Sequence, residues 1–230
     1  MDAVYILKND IAADHEELRH SIRSLVANWE YRRLWFIGGD PVDIVPDASI
    51  YHQQEGATKW ERVRDSLLRV CACSDISNDF WLFNDDFFIM ERPKQQGNYI
   101  LDGTLESHVK RLELKYGGGS SYSGQLKDLA ELLKKEGHPT ADYTVHAPMT
   151  FNRGKLAAVL ERYPQNPMFR SLYGNVYRVE GTPTKDFKVK NISACPRWPM
   201  LSTTGISFKA GAVGMLIRKT FINQTGYENE

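Results

Sequence analysis

Asp85 and Asp86 stand side by side between two apolar runs, Phe80-Trp81-Leu82-Phe83 and Phe87-Phe88-Ile89-Met90. Two adjacent carboxylates at the end of a buried strand are costly unless something positive neutralises them. A divalent cation bridging a diphosphate does so naturally, because Mg2+ is held by one or two carboxylates plus phosphate oxygens. The bland alternative is a solvated turn in which Asn84 and the aspartates bond their own backbone. Arg19 and Arg23 follow His15 at i, i+4, i+8, the spacing of one helix face. Arginine suits bidentate phosphate recognition; the alternative is a solvated face paired with Glu16 or Glu30. His146, ahead of Ala147-Pro148, is a candidate general acid or base or else an ordinary satisfied polar residue. Arg170 and Asn175, beside Gly174, form a weaker cluster.

The elements that would position these residues alternate. Ala3 to Leu7 reads as a short buried strand. A helix follows, with Asp14 as N-cap and Glu17 completing a capping box, and Leu18, Ile22, Leu25, Val26 and Trp29 form its apolar face. Leu34 to Ile37 is a second strand, stopped by Gly38-Gly39-Asp40-Pro41. A short strand is expected within 44–51, a helix over about 59–73, and a third apolar strand over 80–83 that runs into Asn84-Asp85-Asp86. Strands alternating with helices predict an α/β domain with a mainly parallel sheet, whose ligand crevice lies at the carboxyl ends of the strands. Residues 94–140, with the Gly117 to Ser121 loop and a helix near 125–135, read as an insertion or lid rather than sheet. Residues 143–146 are expected to return to the sheet before a helix over about 152–162.

The 230 residues suit one domain with an appendage, and 29 basic against 29 acidic residues exclude a globally basic nucleic-acid binder and an acidic tail. Cys71, Cys73 and Cys195 are odd in number and lack a C-x-x-C spacing, so reduced thiols are expected rather than a disulfide framework or zinc site. The first apolar stretch is too short for a signal peptide and no run is long enough to span a membrane, which leads to an expected cytoplasmic location.

Glu17-Leu18-Arg19-His20-Ser21-Ile22-Arg23-Ser24 resembles the E-L-R-Y-S-L-R-S segment of the Stealth family of sugar-1-phosphate transferases. Phe83-Asn84-Asp85-Asp86-Phe87-Phe88 resembles that family's aromatic-N-D-D-F-F motif, His146-Ala147-Pro148 its H-x-P segment, and Phe169-Arg170-Ser171 its later arginine motif. The order is the same and roughly residues 1–180 are covered. In place of the family's Y-T-W-V-D-G strand ending, only Asp10 offers an acid, and its later acidic motif has no counterpart in Leu201-Ser202-Thr203-Thr204-Gly205. The chain thus looks like a compact, divergent relative, similar also to phage and bacterial glycosyltransferases.

The resemblance implies a single GT-A-like, Rossmann-like domain over 1–230 and a nucleotide-sugar donor, a UDP-sugar first. Asp85 and Asp86 would hold Mg2+ or Mn2+. Asp10, Arg19, Arg23, Asn84 and Asn175 would bind the donor, and His146, Asp86 and Arg170 would act in catalysis. Glycosyl transfer would release NDP and sugar-1-phosphate transfer NMP. The acceptor would be a glycan, or a hydroxymethylated pyrimidine in DNA if Lys94, Lys110, Arg111 and Lys115 with Arg62, Arg64 and Arg69 formed a basic groove. A non-catalytic sugar-nucleotide-binding module is the alternative of another class.

Overall fold

The computed structural model describes residues 1–9, 15–117 and 120–229. In chain order the elements are β1 Asp2–Leu7, α1 Glu16–Asn28, β2 Leu34–Gly38, β3 Ala48–Tyr51, α2 Lys59–Ala72, β4 Asp79–Phe83, β5 Phe87–Ile89, β6 Tyr99–Thr104, α3 Leu105–Tyr116, α4 Ser121–Lys135, β7 Ala141–Asp142, β8 Met149–Asn152, α5 Arg153–Arg162, α6 Phe169–Val176, β9 Thr182–Thr184, β10 Lys188–Val189, β11 Met200–Thr203, α7 Gly205–Ala210 and α8 Ala212–Thr220. The described residues cluster into two compact units: residues 1–96, 146–153 and 187–230, and residues 97–145 and 154–186.

The first unit is built on a five-stranded sheet in the order β3-β2-β1-β4-β8. The first four strands run parallel and β8 pairs antiparallel with β4, so the mainly parallel α/β sheet read from the sequence is present. β1 and β2 are almost wholly buried, consistent with near-continuous apolar runs in a parallel sheet covered on both faces. Tyr5 stacks on Phe83 across the β1–β4 pair, with ring centroids 5.3 Å apart. The chain starts in the middle of the sheet, winds outward through β2 and β3, and then crosses to β4 on the other side of β1. The strand order therefore reverses between β1 and β4, the place where open α/β sheets bind ligands.

A smaller sheet, β10-β11-β5, continues this unit, with β5 antiparallel to β11. Phe88, Val189, Leu201, Phe208, Val213, Ile217 and Phe221 form a buried cluster in the C-terminal part of the unit.

The second unit holds α3, α4, α6, most of α5 and the three-stranded sheet β7-β6-β9. Residues 97–140 of the expected insertion fall here, and they include sheet, contrary to the helix-and-loop reading: β6 pairs with β7 and β9. The partner strands are two and three residues long, too short to register as periodicity. Residues 143–146 do not form a strand either; sheet pairing resumes at Met149, after Pro148. Tyr143 is held instead by Ser171, whose Oγ accepts its N–H at 3.0 Å, and by its own hydroxyl, which donates to the Val179 carbonyl.

Candidate active site

The acid pair follows β4 directly. Asn84 and Asp85 are exposed and Asp86 is half-buried. The chain turns back immediately, with the Phe87 N–H donating to the Asn84 carbonyl at 3.2 Å, and enters β5.

One face of α1 fixes this turn. Glu17, Ser21, Ser24 and Asn28 recur at helical spacing. Ser21 Oγ donates to the Phe87 carbonyl at 2.6 Å, the Ile89 N–H donates to Ser24 Oγ at 3.0 Å, and Asn28 Nδ2 donates to the Ile89 carbonyl at 2.7 Å. β5 is thereby hydrogen-bonded along one edge by side chains of a helix and along the other by β11.

Asp86 is held from the C-terminal segment. Lys188 Nζ donates to its Oδ2 and to the Thr203 carbonyl, and Ser202 Oγ donates to Oδ2 at 3.2 Å. Asp86 Oδ1 is buried and has no hydrogen-bond partner. Asp85 is exposed at its surface, yet protein packed around it desolvates the carboxyl. That burial, and then repulsion from Asp86, push its carboxyl above the ordinary range, against the attraction of Lys8 and Lys188. Glu17 accepts a hydrogen bond from Thr203 Oγ1; the expected capping box rests on Asp14, which lies outside the described residues. Burial first, then Asp85 and Asp86, push the Glu17 carboxyl up to about 7, with the Thr203 bond and Lys188 opposing.

The end of β1 completes the edge. The Gly39 N–H donates to the Leu7 carbonyl at 3.1 Å, and the ends of the two strands touch so closely that a Cβ on Gly39 would lie 1.9 Å from the Lys8 oxygen. Asn9 brackets residues 52–54: its Nδ2 donates to the His52 carbonyl at 2.7 Å and its Oδ1 accepts from the Gln54 N–H at 2.8 Å. His146 is half-buried in the segment leading into β8. Because Met149 pairs with Leu82 in an antiparallel register, that segment enters the sheet at the edge where β4 runs into Asn84.

The remaining expected residues fall elsewhere. Arg19 and Arg23 share a face of α1, but their partners are neither Glu16 nor Glu30. Arg23 Nε and NH2 hold the two oxygens of Glu228 at 2.8 and 2.5 Å, and its NH1 donates to the Phe221 carbonyl at 3.0 Å. Arg19 pairs with Asp43 and reaches Glu228 at 3.5 Å. Both forks thus join α1 to the 43–45 loop and the C-terminal segment. Asn175 is buried in the second unit, where Oδ1 accepts from the Ala141 N–H and Nδ2 donates to the Ala141 and Ser171 carbonyls, all within 2.8 Å, so its amide is taken up by the fold. Arg170 lies half-buried on α6 of the second unit. Asp10 and Asp14 lie outside the described residues. The basic residues considered for a DNA groove divide between α2 and Lys94 in the first unit and α3 in the second, and Arg69 is paired with Asp65.

Sequence reasoning missed Lys188, Thr203 and the role of Glu17. The polar stripe at 17, 21, 24 and 28 was a usable signal for the last. A single lysine in a two-residue strand gave none.

Among the described residues no group of three or more His, Cys, Asp or Glu side chains is arranged to hold a metal. The donor set of Asp85 and the orphaned Oδ1 of Asp86 fits a Mg2+ or Mn2+ ion that takes its other ligands from a diphosphate, rather than a cage made by the protein alone.

No protein-family model matches the chain, and no curated protein sequence does. Solved structures resemble it loosely. The glycosyltransferase GlyE of Streptococcus pneumoniae TIGR4 is 8% identical with a TM-score of 0.47, and the alignment covers 97% of this chain and 61% of GlyE, so the chain spans about three fifths of that protein. A 4-diphosphocytidyl-2C-methyl-D-erythritol synthase is 11% identical with a TM-score of 0.36, covering 80% and 89%. An active-site mutant of LgtC is 11% identical with a TM-score of 0.42, covering 99% and 85%. With likeness this distant, function has to be read from the acid pair and the groups around it.

Proposed function

We propose that the protein transfers a sugar, or a sugar-1-phosphate, from a nucleotide-sugar donor to a hydroxyl group of a glycan acceptor. The observation that carries this is the acid pair Asp85–Asp86 at the carboxyl end of β4, beside β1, where the strand order reverses. Motif resemblance at Glu17–Ser24 and Phe83–Phe88 supports the same reading.

The reading draws on the first unit alone. Asp85 and Asp86 would hold Mg2+ or Mn2+, which would neutralise charge on the donor diphosphate. Lys188 keeps the Asp86 carboxylate in place through Oδ2, and Lys8 adds positive charge beside Asp85. His146 takes the proton of the acceptor hydroxyl as its oxygen attacks. Attack at the anomeric carbon breaks its bond to the diphosphate and releases NDP. Attack at the sugar-proximal phosphorus breaks the phosphoanhydride and releases NMP.

A panel of UDP-, GDP- and CDP-sugars with Mg2+ or Mn2+, followed by chromatography of the released nucleotide, tests the proposal. Donor turnover that falls about 100-fold or more in Asp85→Asn and in His146→Ala is the expected result. Wild-type protein that neither binds nor turns over any of the donors would overturn it.

A further inference from the structure

Between Phe187 and Tyr227 the chain carries six basic residues, Lys188, Lys190, Arg197, Lys209, Arg218 and Lys219, and no Asp or Glu. In a chain balanced at 29 to 29, the rest of the molecule therefore carries the excess of acid. Lys188 is engaged with Asp86, and Arg218 lies 3.7 Å from Glu16 and over the Phe208 ring. Lys190, Arg197, Lys209 and Lys219 are exposed.

The same stretch exposes large apolar side chains: Ile206 at 72%, Ile222 at 72%, Met215 at 60%, Ile192 at 50% and Trp198 at 37%. They are organised. On α8, Val213 and Ile217 turn inward to the cluster around Phe208, while Met215 and Lys219, at i and i+4, are on the outward face, and the exposed Ile222 follows just past the helix end. On α7, Phe208 is inward while Ile206 and Lys209 are outward. The Ala212 N–H donates to the Ile192 carbonyl at 2.8 Å, which seats the 190–198 loop beside the start of α8.

We propose that this α7–α8 face, with the 190–198 loop, docks on the surface of an anionic lipid bilayer. Outward aliphatic side chains with lysines beside them are the composition of a segment lying in a membrane interface. A protein partner is disfavoured because the centres of protein interfaces are depleted in lysine. Single-stranded nucleic acid is disfavoured because it is bound on aromatic platforms, and Trp198 is the one exposed large aromatic of the stretch. Among the described residues no helix is long and apolar enough to cross a membrane, so the contact is one of surface docking. The exposed Lys190, Arg197, Lys209 and Lys219 attract anionic headgroups to this face.

Co-sedimentation of the full chain with vesicles tests this directly. Phosphatidylcholine vesicles are compared with equal mixtures of phosphatidylcholine and phosphatidylglycerol, at about 0.05 and 0.5 M salt. The expected result is binding to the anionic vesicles that is at least about tenfold weaker at high salt and about tenfold or more weaker in Lys209→Glu/Lys219→Glu. Ile206→Ser/Ile222→Ser weakens it as well, while the exposed pair Lys127→Glu/Lys135→Glu on α4 matches wild type. All six positions are exposed, so the variants keep the wild-type circular dichroism and melting curve. Wild type remaining in the supernatant at low salt, equal binding to neutral vesicles, an unchanged Lys209→Glu/Lys219→Glu variant, or retention on DNA in preference to anionic vesicles would each overturn the proposal. None of these readouts depends on sugar transfer.

Discussion

Glu228 grips the guanidinium of Arg23 through two parallel hydrogen bonds, across a separation of 205 residues. Both side chains are largely buried, at 10% and 3% exposure. Breaking such a pair by removing one partner leaves a charge in the interior. Arg23→Met and Glu228→Met are therefore expected to lose about 3 kcal/mol each in urea denaturation, and the double variant Arg23→Met/Glu228→Met to recover much of that loss. Losses that simply add would show that the two residues do not act as a pair.

Glu17 sets a pH dependence. Its carboxyl titrates at about 7 in the fold against 4.5 in the unfolded chain, because burial and then the neighbouring acids disfavour its charge. A group whose pKa rises on folding supports the native state fully below its unfolded pKa, and this support is lost as the pH rises through the folded value. Glu17→Gln should thus match wild type near pH 4 and exceed its stability at pH 8 by about 1–2 kcal/mol, after allowance for partial solvent screening. Melting curves at the two pH values decide it; a variant that is less stable at pH 8 would contradict the assignment.

The two aspartates differ in what holds them. Asp85→Asn removes an exposed carboxylate and should leave the melting temperature near wild type while weakening Mn2+ binding measured by electron paramagnetic resonance. Asp86→Asn strands the Lys188 ammonium and should lower both. Equal melting temperatures for the two variants would remove Lys188 from its assigned place.

Asn175→Ala deletes three buried hydrogen bonds that clasp Ala141 to α6. The expected cost is about 2–3 kcal/mol. Amide exchange should quicken around residues 141–145 and 169–176, and unchanged protection there would show that the bracket is dispensable.

Where the chain writes its structure in long apolar runs, the sequence was enough. β1, β2, α2 and β4 follow from continuous burial or helical spacing, and the acid pair is legible because a polar pair interrupts two such runs. β6, β7 and β9 are not, because their pairing rests on backbone hydrogen bonds between distant short segments. The same reason hides Lys188, which meets Asp86 from 102 residues away, and Glu228, which occupies the arginine fork that the motif suggested for phosphate. In the Arg-x-Ser-x-Arg-Ser stretch it is the serines, not the arginines, that touch the strand after the acid pair.

β1 is the central strand of the five-stranded sheet, yet its neighbours come later in the chain, from residues 34–38 on one side and 79–83 on the other. During synthesis this apolar strand has both edges open until β2 follows, and one edge open until β4 follows. An unprotected edge of that kind is a template for pairing with other chains. The strand order that sets β4 beside β1 therefore also makes β1 a strand in need of shelter during translation.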